Sequence, residues 1–206
     1  MKIITISREF GSGGRELGKR LADLLHFDYY DGEIIAEMAR RSREDADHVE
    51  KAFGNHEWKQ YPFTFRATLN SSAYAQSGLV QRLLEQKKVI EKIASLGKDC
   101  IIVGRNADVI LEEFKPFNIF VCAEMEAKLH RCMERAAAKE NLTEKELARK
   151  MKQVDKMRSQ ARAILSGSDW GDSANYHLTV NTTHWSVKEM APAVADFAMR
   201  WFGREV

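Results

Sequence analysis

Short apolar runs alternate with longer amphipathic segments along most of the chain. The apolar runs have the length and β-branched content of buried strands, at 3–6, 27–30, 100–103, 119–121 and 177–180. Apolar residues recur at helical spacing between them, at 14–25, 33–41, 76–96, 106–114, 124–140, 143–165 and 186–202. This alternation predicts an α/β fold, with helices on both faces of a five-stranded parallel sheet.

One segment, at about 45–97, is too long for a single crossover between strands. It contains an aromatic cluster followed directly by Arg66, and the aromatic residues are Trp58, Tyr61, Phe63 and Phe65. Such aromatics either belong to the core or stack against a bound base. Because no repeat or low-complexity linker divides the chain, we expect residues 1–206 to form one domain that includes this insert.

A second unusual segment is strongly basic. Residues 128–162 carry 11 Lys and Arg against 5 Asp and Glu. Arg131 and Arg135 are four residues apart, as are Arg158 and Arg162, a spacing that places each pair on a shared helical face. Such a segment is either a solvated helical surface or a source of cations for a phosphate group.

Composition and charge narrow the class of protein. The chain has 206 residues, 44% of them hydrophobic, and a net charge of +2. This charge gives no reason to expect nucleic acid or a membrane as partner. The apolar N-terminal run is too short for a secretory signal, so we expect a cytoplasmic protein. Cys100, Cys122 and Cys132 lack metal-ligand spacing, and we expect them to be reduced.

The stretch between the first strand and the first helix is rich in glycine. Gly11, Gly13 and Gly14 fall within four residues. A chain that turns from a strand into a helix exposes backbone N–H groups and the positive end of the helix dipole. Because glycines let phosphate oxygens approach such a surface closely, the sequence predicts a phosphate-binding loop here.

The match to known phosphate-binding patterns is partial. On G-x-x-x-x-G-K-[ST], Gly14 keeps the second glycine, while Arg15 replaces the lysine and Glu16 replaces the hydroxyl that binds magnesium. Arginine keeps the positive charge and can bind phosphate through two N–H groups. The dinucleotide pattern G-x-G-x-x-G begins at Gly11 and Gly13 but fails at Glu16. A plain strand-to-helix turn is the remaining alternative.

Four blocks in succession resemble the cytidylate kinases and their cytidylate kinase-like relatives. They are Gly11-Ser-Gly-Gly-Arg-Glu-Leu17, Ile101–Leu111, Asp155–Arg162 and His177–Thr183, and together they span nearly the whole chain. The resemblance implies a P-loop kinase fold with an acceptor-binding helical insert at about 45–97 and a helical lid at about 140–171. It also implies transfer of the γ-phosphoryl group of ATP, with Mg²⁺, to CMP, dCMP or a related small acceptor.

The same resemblance implies roles for individual residues. The implied catalytic residues are Arg15, Arg105, Arg158 and Arg162. The residues implied to bind the ATP cofactor are Gly11, Ser12, Gly13, Gly14, Arg15, Glu16, Asn181, Thr182 and Thr183. The residues implied to bind the acceptor, a small-molecule nucleotide, are Asp31, Arg66, Arg105, Arg131 and Arg135.

Several alternatives stay open from the sequence alone. Asp31 is equally suited to contacting the acceptor or a metal and to capping the helix that begins at Glu33. The missing loop hydroxyl also favours a second function, that of a nucleotide-binding sensor or regulator with little transfer activity. The metal ligands, the identity of the acceptor and the oligomeric state remain open, a homodimer being one alternative.

Overall fold

The structure, a computed structural model, describes residues 1–44, 79–135 and 143–203. Five strands form one sheet in the order β2-β3-β1-β4-β5, and every neighbouring pair is parallel. The strands are β1 (Ile3–Arg8), β2 (Asp28–Asp31), β3 (Cys100–Val103), β4 (Phe117–Cys122) and β5 (Leu178–Asn181). The five-stranded parallel sheet predicted from the sequence is therefore confirmed.

Helices connect the strands in the alternating pattern that the sequence predicts. They are α1 (Gly14–Leu25), α2 (Gly32–Glu44), α3 (Leu79–Ser95), α4 (Ala107–Ile110), α5 (Met125–Arg135), α6 (Glu144–Ser166) and α7 (Val187–Phe202). Short 3₁₀ segments lie at Glu112–Phe114 and Ser173–Asn175. The helical stretch predicted near 106–114 is present, but it is divided at Leu111 into α4 and a 3₁₀ turn at Glu112–Phe114. None of the described helices is both long and apolar enough to cross a membrane.

Both faces of the sheet are covered, and the central strand β1 supplies side chains to each. Ile4 and Ile6 pack into a core with α1 and α7. Ile3, on the opposite face, packs into a second core with α2 and α3. Because parallel strands of this kind are buried on both sides, they appear in the sequence as continuous apolar runs without alternation.

A third, smaller apolar cluster joins α5 and α6 to the loop that follows β1. Phe10 from the loop packs with Cys132 of α5 and with three residues of α6, which are Leu147, Met151 and Val154. The helices of the basic segment therefore lie directly against the glycine-rich loop. Of the insert predicted at about 45–97, the structure describes α3, whereas residues 45–78, with the aromatic cluster and Arg66, lie outside the described residues.

Candidate active site

The loop between β1 and α1 follows a backbone path that glycine adopts readily and other residues do not. Gly11 and Gly13 have φ angles of 79° and 84°, in the left-handed region. A Cβ on Gly11 would lie 2.9 Å from Cys132 Sγ, and one on Gly13 would lie 2.7 Å from Val187 Cγ2. Because Gly13 is the N-cap of α1, the first-turn N–H groups, which have no acceptor within the helix, lie at this loop.

Side chains from α5 and from the turn after β5 hold the loop in place. Arg131 donates to the carbonyl oxygens of Gly11, at 2.7 Å, and Thr182, at 3.0 Å. The buried Thr182 hydroxyl donates to the carbonyl of Ser12 at 2.7 Å. The buried Ser12 hydroxyl in turn donates to the carbonyl of Glu9 at 2.9 Å. Ser12 and Thr182 therefore fix the backbone of the loop from behind.

Arg15, in the first turn of α1, forms ion pairs with Asp31, the last residue of β2, and with Glu33, in the first turn of α2. Its Nε lies 3.1 Å from Asp31 Oδ2, and its Nη2 lies 2.9 Å from Glu33 Oε1. Burial alone would lower the pKa of Arg15, but the charges of Asp31 and Glu33 raise it. Asp31 also caps α2, because its Oδ1 accepts from the N–H groups of Glu33, at 2.9 Å, and Ile34, at 3.1 Å. The capping role weighed from the sequence is therefore present.

Glu16, at the position of the missing hydroxyl, is also paired with cations. Arg20 lies 2.8 Å from its Oε1, and Arg135 of α5 forms a close ion pair with its Oε2. Burial would raise the pKa of Glu16, but the hydrogen bonds from these two arginines lower it. The carboxylate therefore joins α1 to α5.

Four arginines converge where β1 and β3 end, beside the glycine loop. We call Arg8, Arg15, Arg105 and Arg158 the arginine cluster. Burial, and then the positive charges of the other three members, hold the pKa of Arg8 well below its ordinary value. Open parallel sheets bind ligands at the carboxyl ends of their strands. The cluster is therefore suited to binding an anion there.

Two members of the cluster are positioned by contacts with the backbone. Arg105 donates from Nη2 to the carbonyl of Gly32 at 3.0 Å, which ties the end of β3 to the start of α2. Arg158 of α6 donates from Nη1 to the carbonyl of Arg8 and to Asp155 Oδ1, each at 2.9 Å. The same Asp155 oxygen accepts from the N–H of Phe10 at 2.8 Å. Through these bonds α6 rests on the loop and brings Arg158 to it.

An open cavity of about 620 Å³ lies in front of the loop. Most of its lining is glycine backbone or charged side chain, and its residues are Arg8, Glu9, Phe10, Gly11, Gly13, Gly14, Arg15, Glu16, Lys19, Arg20, Asp23, Arg131, Cys132, Arg135 and Arg158. A second cavity, of about 580 Å³, lies on the other side of Arg131 and Arg135 and is bordered by Thr183, His184 and Val187. The first has the charge and the backbone donors for phosphate groups.

Comparison with known proteins identifies the family. A model of the cytidylate kinase-like family matches residues 3–184, which include the five strands, the glycine loop and the arginine cluster. The chain belongs to the cytidylate kinase-like family. No curated protein sequence gives a significant match to this family member.

Solved structures share the fold of this cytidylate kinase-like protein. An uncharacterized protein from Eubacterium ventriosum is 25% identical, with a TM-score of 0.69 over 97% of this chain and 99% of that one. Shikimate kinase from Acinetobacter baumannii, in complex with shikimate, is 14% identical, with a TM-score of 0.53 over 97% and 94%. Shikimate kinase from Bacteroides thetaiotaomicron is 12% identical, with a TM-score of 0.56 over 96% and 98%. The fold is that of P-loop kinases, and together with the family it indicates a nucleotide or small-molecule kinase.

Most of the residues that the resemblance singled out in this cytidylate kinase-like chain lie together. The first cavity brings together Gly11, Gly13, Gly14, Arg15, Glu16, Arg131, Arg135 and Arg158. Asp31 is joined to this cavity by its ion pair with Arg15. Arg105 lies close enough to Arg158 and Arg15 for their charges to lower its pKa. Ser12 and Thr182 lie behind the loop, and the exposed Asn181 accepts hydrogen bonds from the N–H and hydroxyl of Thr183, at 3.0 and 2.6 Å. Arg66 lies outside the described residues.

Arg162 lies elsewhere, although it shares a helix with Arg158. Its guanidinium forms a close, buried ion pair with Asp108 of α4, and its Nε donates to Ser168 Oγ at 2.9 Å. The guanidinium also lies 5.4 Å from the ring centre of Tyr176. Arg162 therefore joins the C-terminal part of α6 to α4 and is not among the residues that line the cavity.

Sequence reasoning missed two charged features of the site. Arg8 lies two residues after the first apolar run, and its position at the carboxyl end of a parallel strand is a signal that could have identified it. Lys128, which is buried, binds Glu9 Oε2 at 2.8 Å. That pair joins residues more than a hundred positions apart, so no local sequence pattern predicts it.

Proposed function

We propose that this protein transfers the γ-phosphoryl group of ATP to a nucleoside monophosphate, such as CMP or dCMP, or to a related small acceptor. The observation that carries the proposal is the convergence of the arginine cluster on a glycine-rich loop at the start of α1. Phosphoryl transfer depends on positioning and on neutralising charge on the transferred group, and fixed guanidinium groups beside a phosphate loop provide both.

The donor nucleotide fits the loop side of the site. The positive φ angles of Gly11 and Gly13 turn the backbone into α1 and form a cradle with the main cavity in front of it. We assign the ATP phosphates to this cradle, with Gly14 and Arg15 beside them. The base would lie beside Asn181–Thr183, where the second cavity borders Thr183. Ser12 and Thr182 support this part of the site without facing it.

The acceptor fits the opposite side, at the ends of β2 and β3. We assign its anionic group to Arg105, with Asp31 beside it. The acceptor roles that the resemblance implies for Arg131 and Arg135 do not fit this side, because Arg131 holds Gly11 and Thr182 and Arg135 holds Glu16. As the resemblance implies, the insert at about 45–97, with Arg66, would hold the acceptor. The stretch at about 140–171 would act as a lid, because α6 carries Arg158 onto the loop. Arg162 would then stabilise the lid through Asp108, at a distance from the reaction.

The site offers fewer evident side chains for Mg²⁺ than for phosphate groups. The metal usually binds through one or two carboxylates together with the phosphates of the nucleotide. Glu16 stands at the position of the usual hydroxyl ligand, but both of its oxygens are held by arginines. The described residues contain no group of three or more metal-binding side chains. The roles proposed here therefore rest on the arginines.

Glu16 and Arg15 each form ion pairs with other residues, and this favours a second candidate function. Both residues are engaged with opposite charges, so the loop is held in shape by interactions within the protein. A loop of this kind could bind a nucleotide and signal its presence with little transfer. The arginine cluster argues against this function, because a protein that only binds a nucleotide needs no cations around a transferred phosphoryl group.

Replacing Arg105 separates the two functions. We expect ADP formation from ATP·Mg²⁺ to depend on one acceptor among CMP, dCMP, UMP, AMP, GMP and dephospho-coenzyme A. Arg105→Ala should abolish that dependence. Arg200→Ala, which removes an exposed arginine of α7, should leave it unchanged. ATP binding without turnover on any acceptor would favour the regulatory function.

A further inference from the structure

Arg8 is the one member of the arginine cluster that the family resemblance leaves without a role. It is the last residue of β1, the central strand, and it lines the main cavity. Its carbonyl accepts from Arg158, but among the described residues none accepts a hydrogen bond from its guanidinium or forms an ion pair with it. A partly buried guanidinium that serves structure alone is normally paired with a carboxylate or carbonyl.

The space that the guanidinium occupies is kept open by glycine. A Cβ on Gly104, just after β3, would lie 1.7 Å from Arg8 Nη1. A Cβ on Gly14, in the first turn of α1, would lie 2.6 Å from Arg8 Cβ. The Arg8 side chain therefore runs from the donor loop towards Gly104, next to Arg105. It lies between the two places to which the phosphates of donor and acceptor are assigned.

The balance of charge around Arg8 calls for an anion. Arg15 has Asp31 and Glu33 as partners, and Arg158 has Asp155. Arg105 donates to a carbonyl, and the Arg8 guanidinium has no hydrogen-bond or ion-pair partner among the described residues. Two guanidinium groups therefore stand side by side without a carboxylate of their own, an arrangement that is costly unless a bound anion offsets it.

We propose that Arg8 is a catalytic residue that binds the phosphoryl group during its transfer, an inference that rests on the proposed kinase function. An oxygen of the acceptor forms a bond to the γ-phosphorus. The bond from this phosphorus to the bridging oxygen breaks, and its electron pair leaves with ADP. Arg8 donates hydrogen bonds to the non-bridging oxygens of the group in flight. When the attacking oxygen belongs to a phosphate dianion, no proton has to be moved.

The test compares Arg8→Gln and Arg8→Lys with the wild type, using Arg200→Gln as a surface control. Arg8→Gln should lower kcat by about 10²–10³-fold, the usual effect of removing one donor to a transition-state oxygen, with little change in the KM of the acceptor. Arg8→Lys should recover part of this loss, since the charge returns but the paired donors do not. A raised acceptor KM with kcat unchanged would overturn the proposal in favour of simple acceptor binding.

Binding gives a readout that does not require turnover. In calorimetric titrations, the wild type should bind a non-hydrolysable ATP analogue more tightly than ADP. Arg8→Gln should remove most of that preference and leave ADP affinity unchanged. Gly104→Ala, which keeps Arg8 but displaces its guanidinium, should behave in the same way while the chain stays folded by circular dichroism. A preference for the analogue that survives in both variants would overturn the assignment.

These outcomes separate the inference from the function on which it rests. Acceptor-dependent turnover that is equal in wild type and Arg8→Gln would refute the role of Arg8 and leave the kinase intact. An Arg8-dependent preference for the ATP analogue without turnover on any acceptor would retain the γ-phosphate contact and refute the transfer step. A wild type that binds neither nucleotide would refute both.

Discussion

Arg15 of α1 binds Asp31 of β2 across the space between the donor loop and the acceptor side of the sheet, with 3.1 Å between Nε and Oδ2. The same carboxylate caps α2 through its other oxygen. One buried aspartate therefore couples the start of α1 to the start of α2. Any ligand that draws Arg15 away from Asp31 acts on both helices, so the loop and the acceptor side are expected to respond to each other.

The loop assignment predicts the effect of removing Arg15. Arg15→Ala should weaken ATP binding by about 10–100-fold, because a charge-assisted hydrogen bond contributes roughly 1.5–3 kcal/mol. It should also destabilise the fold, because Asp31 then loses its ion pair. Calorimetry with ATP measures the first effect, with Arg200→Ala as control. ATP affinity that is the same in wild type and Arg15→Ala would contradict the phosphate-loop assignment.

The glycine loop predicts a difference between two glycines that both have positive φ. A Cβ on Gly13 would lie 2.7 Å from Val187, whereas Gly97 has nothing within 4 Å. Gly97→Ala should therefore lower the free energy of unfolding by about 1–2 kcal/mol, the cost of a left-handed backbone conformation alone. Gly13→Ala should lower it by about 1–3 kcal/mol more, because the added Cβ crowds Val187. Urea unfolding measures both, and equal losses would show that the loop is not packed as described.

The buried pair of Arg162 and Asp108 predicts a large effect on stability. Their side chains are 4% and 3% exposed, and no described residue donates a hydrogen bond to Asp108 Oδ1. Arg162→Met should lower the free energy of unfolding by about 3–5 kcal/mol, because it leaves a buried carboxylate unpaired. Arg200→Met, which breaks an exposed pair with Asp196, should change it by less than about 1 kcal/mol.

A double variant checks the origin of that effect. Removing both charges, in Asp108→Leu with Arg162→Met, should be less destabilising than the sum of the single changes. Additive losses, or an Arg162→Met variant no less stable than Arg200→Met, would contradict a buried ion pair between α4 and α6.

Buried thiols predict a loss of stability at alkaline pH. Burial raises the pKa of Cys132 to about 11 and that of Cys100 to about 12, against about 8.5 in an unfolded chain. The neutral thiols therefore contribute their full stabilisation below about pH 8.5 and lose it as the pH rises towards the folded-state values. Between pH 7.5 and 10.5 each of the two thiols should lower the free energy of unfolding by about 1–3 kcal/mol.

Urea unfolding at the two pH values measures this loss. Replacing Cys100 and Cys132 by alanine should flatten the pH dependence, whatever the stability of the variant at pH 7.5. A wild type and a double variant that lose equal stability between the two pH values would show that these thiols do not cause the loss.

The fold was predictable because buried parallel strands and amphipathic helices leave strong local patterns. The run at 3–6 and the helical spacing at 14–25 correspond closely to β1 and α1. The division of 106–114 was not predictable, because the turn at Leu111 interrupts a helix without glycine or proline. Such a break is decided by packing, which the local sequence does not encode.

The site was predictable only where its signals are local. Glycine spacing located the loop, since the conformation itself requires glycine at 11 and 13. Arg158 and Arg162 look equivalent in the sequence, but a separation of four residues moves a side chain about 6 Å along the helix axis. Arg158 thereby reaches the carbonyl of Arg8, while Arg162 reaches Asp108, and both partners are distant in the chain.

Direct observation of the transferred group tests the central claim. ³¹P NMR of the protein with ATP·Mg²⁺ and each nucleoside monophosphate in turn follows donor and acceptor in one sample. We predict that one monophosphate is converted to its diphosphate as ADP appears in equal amount, and that Arg105→Ala abolishes both signals. ATP that binds but yields no acceptor diphosphate with any monophosphate would contradict a nucleoside monophosphate kinase.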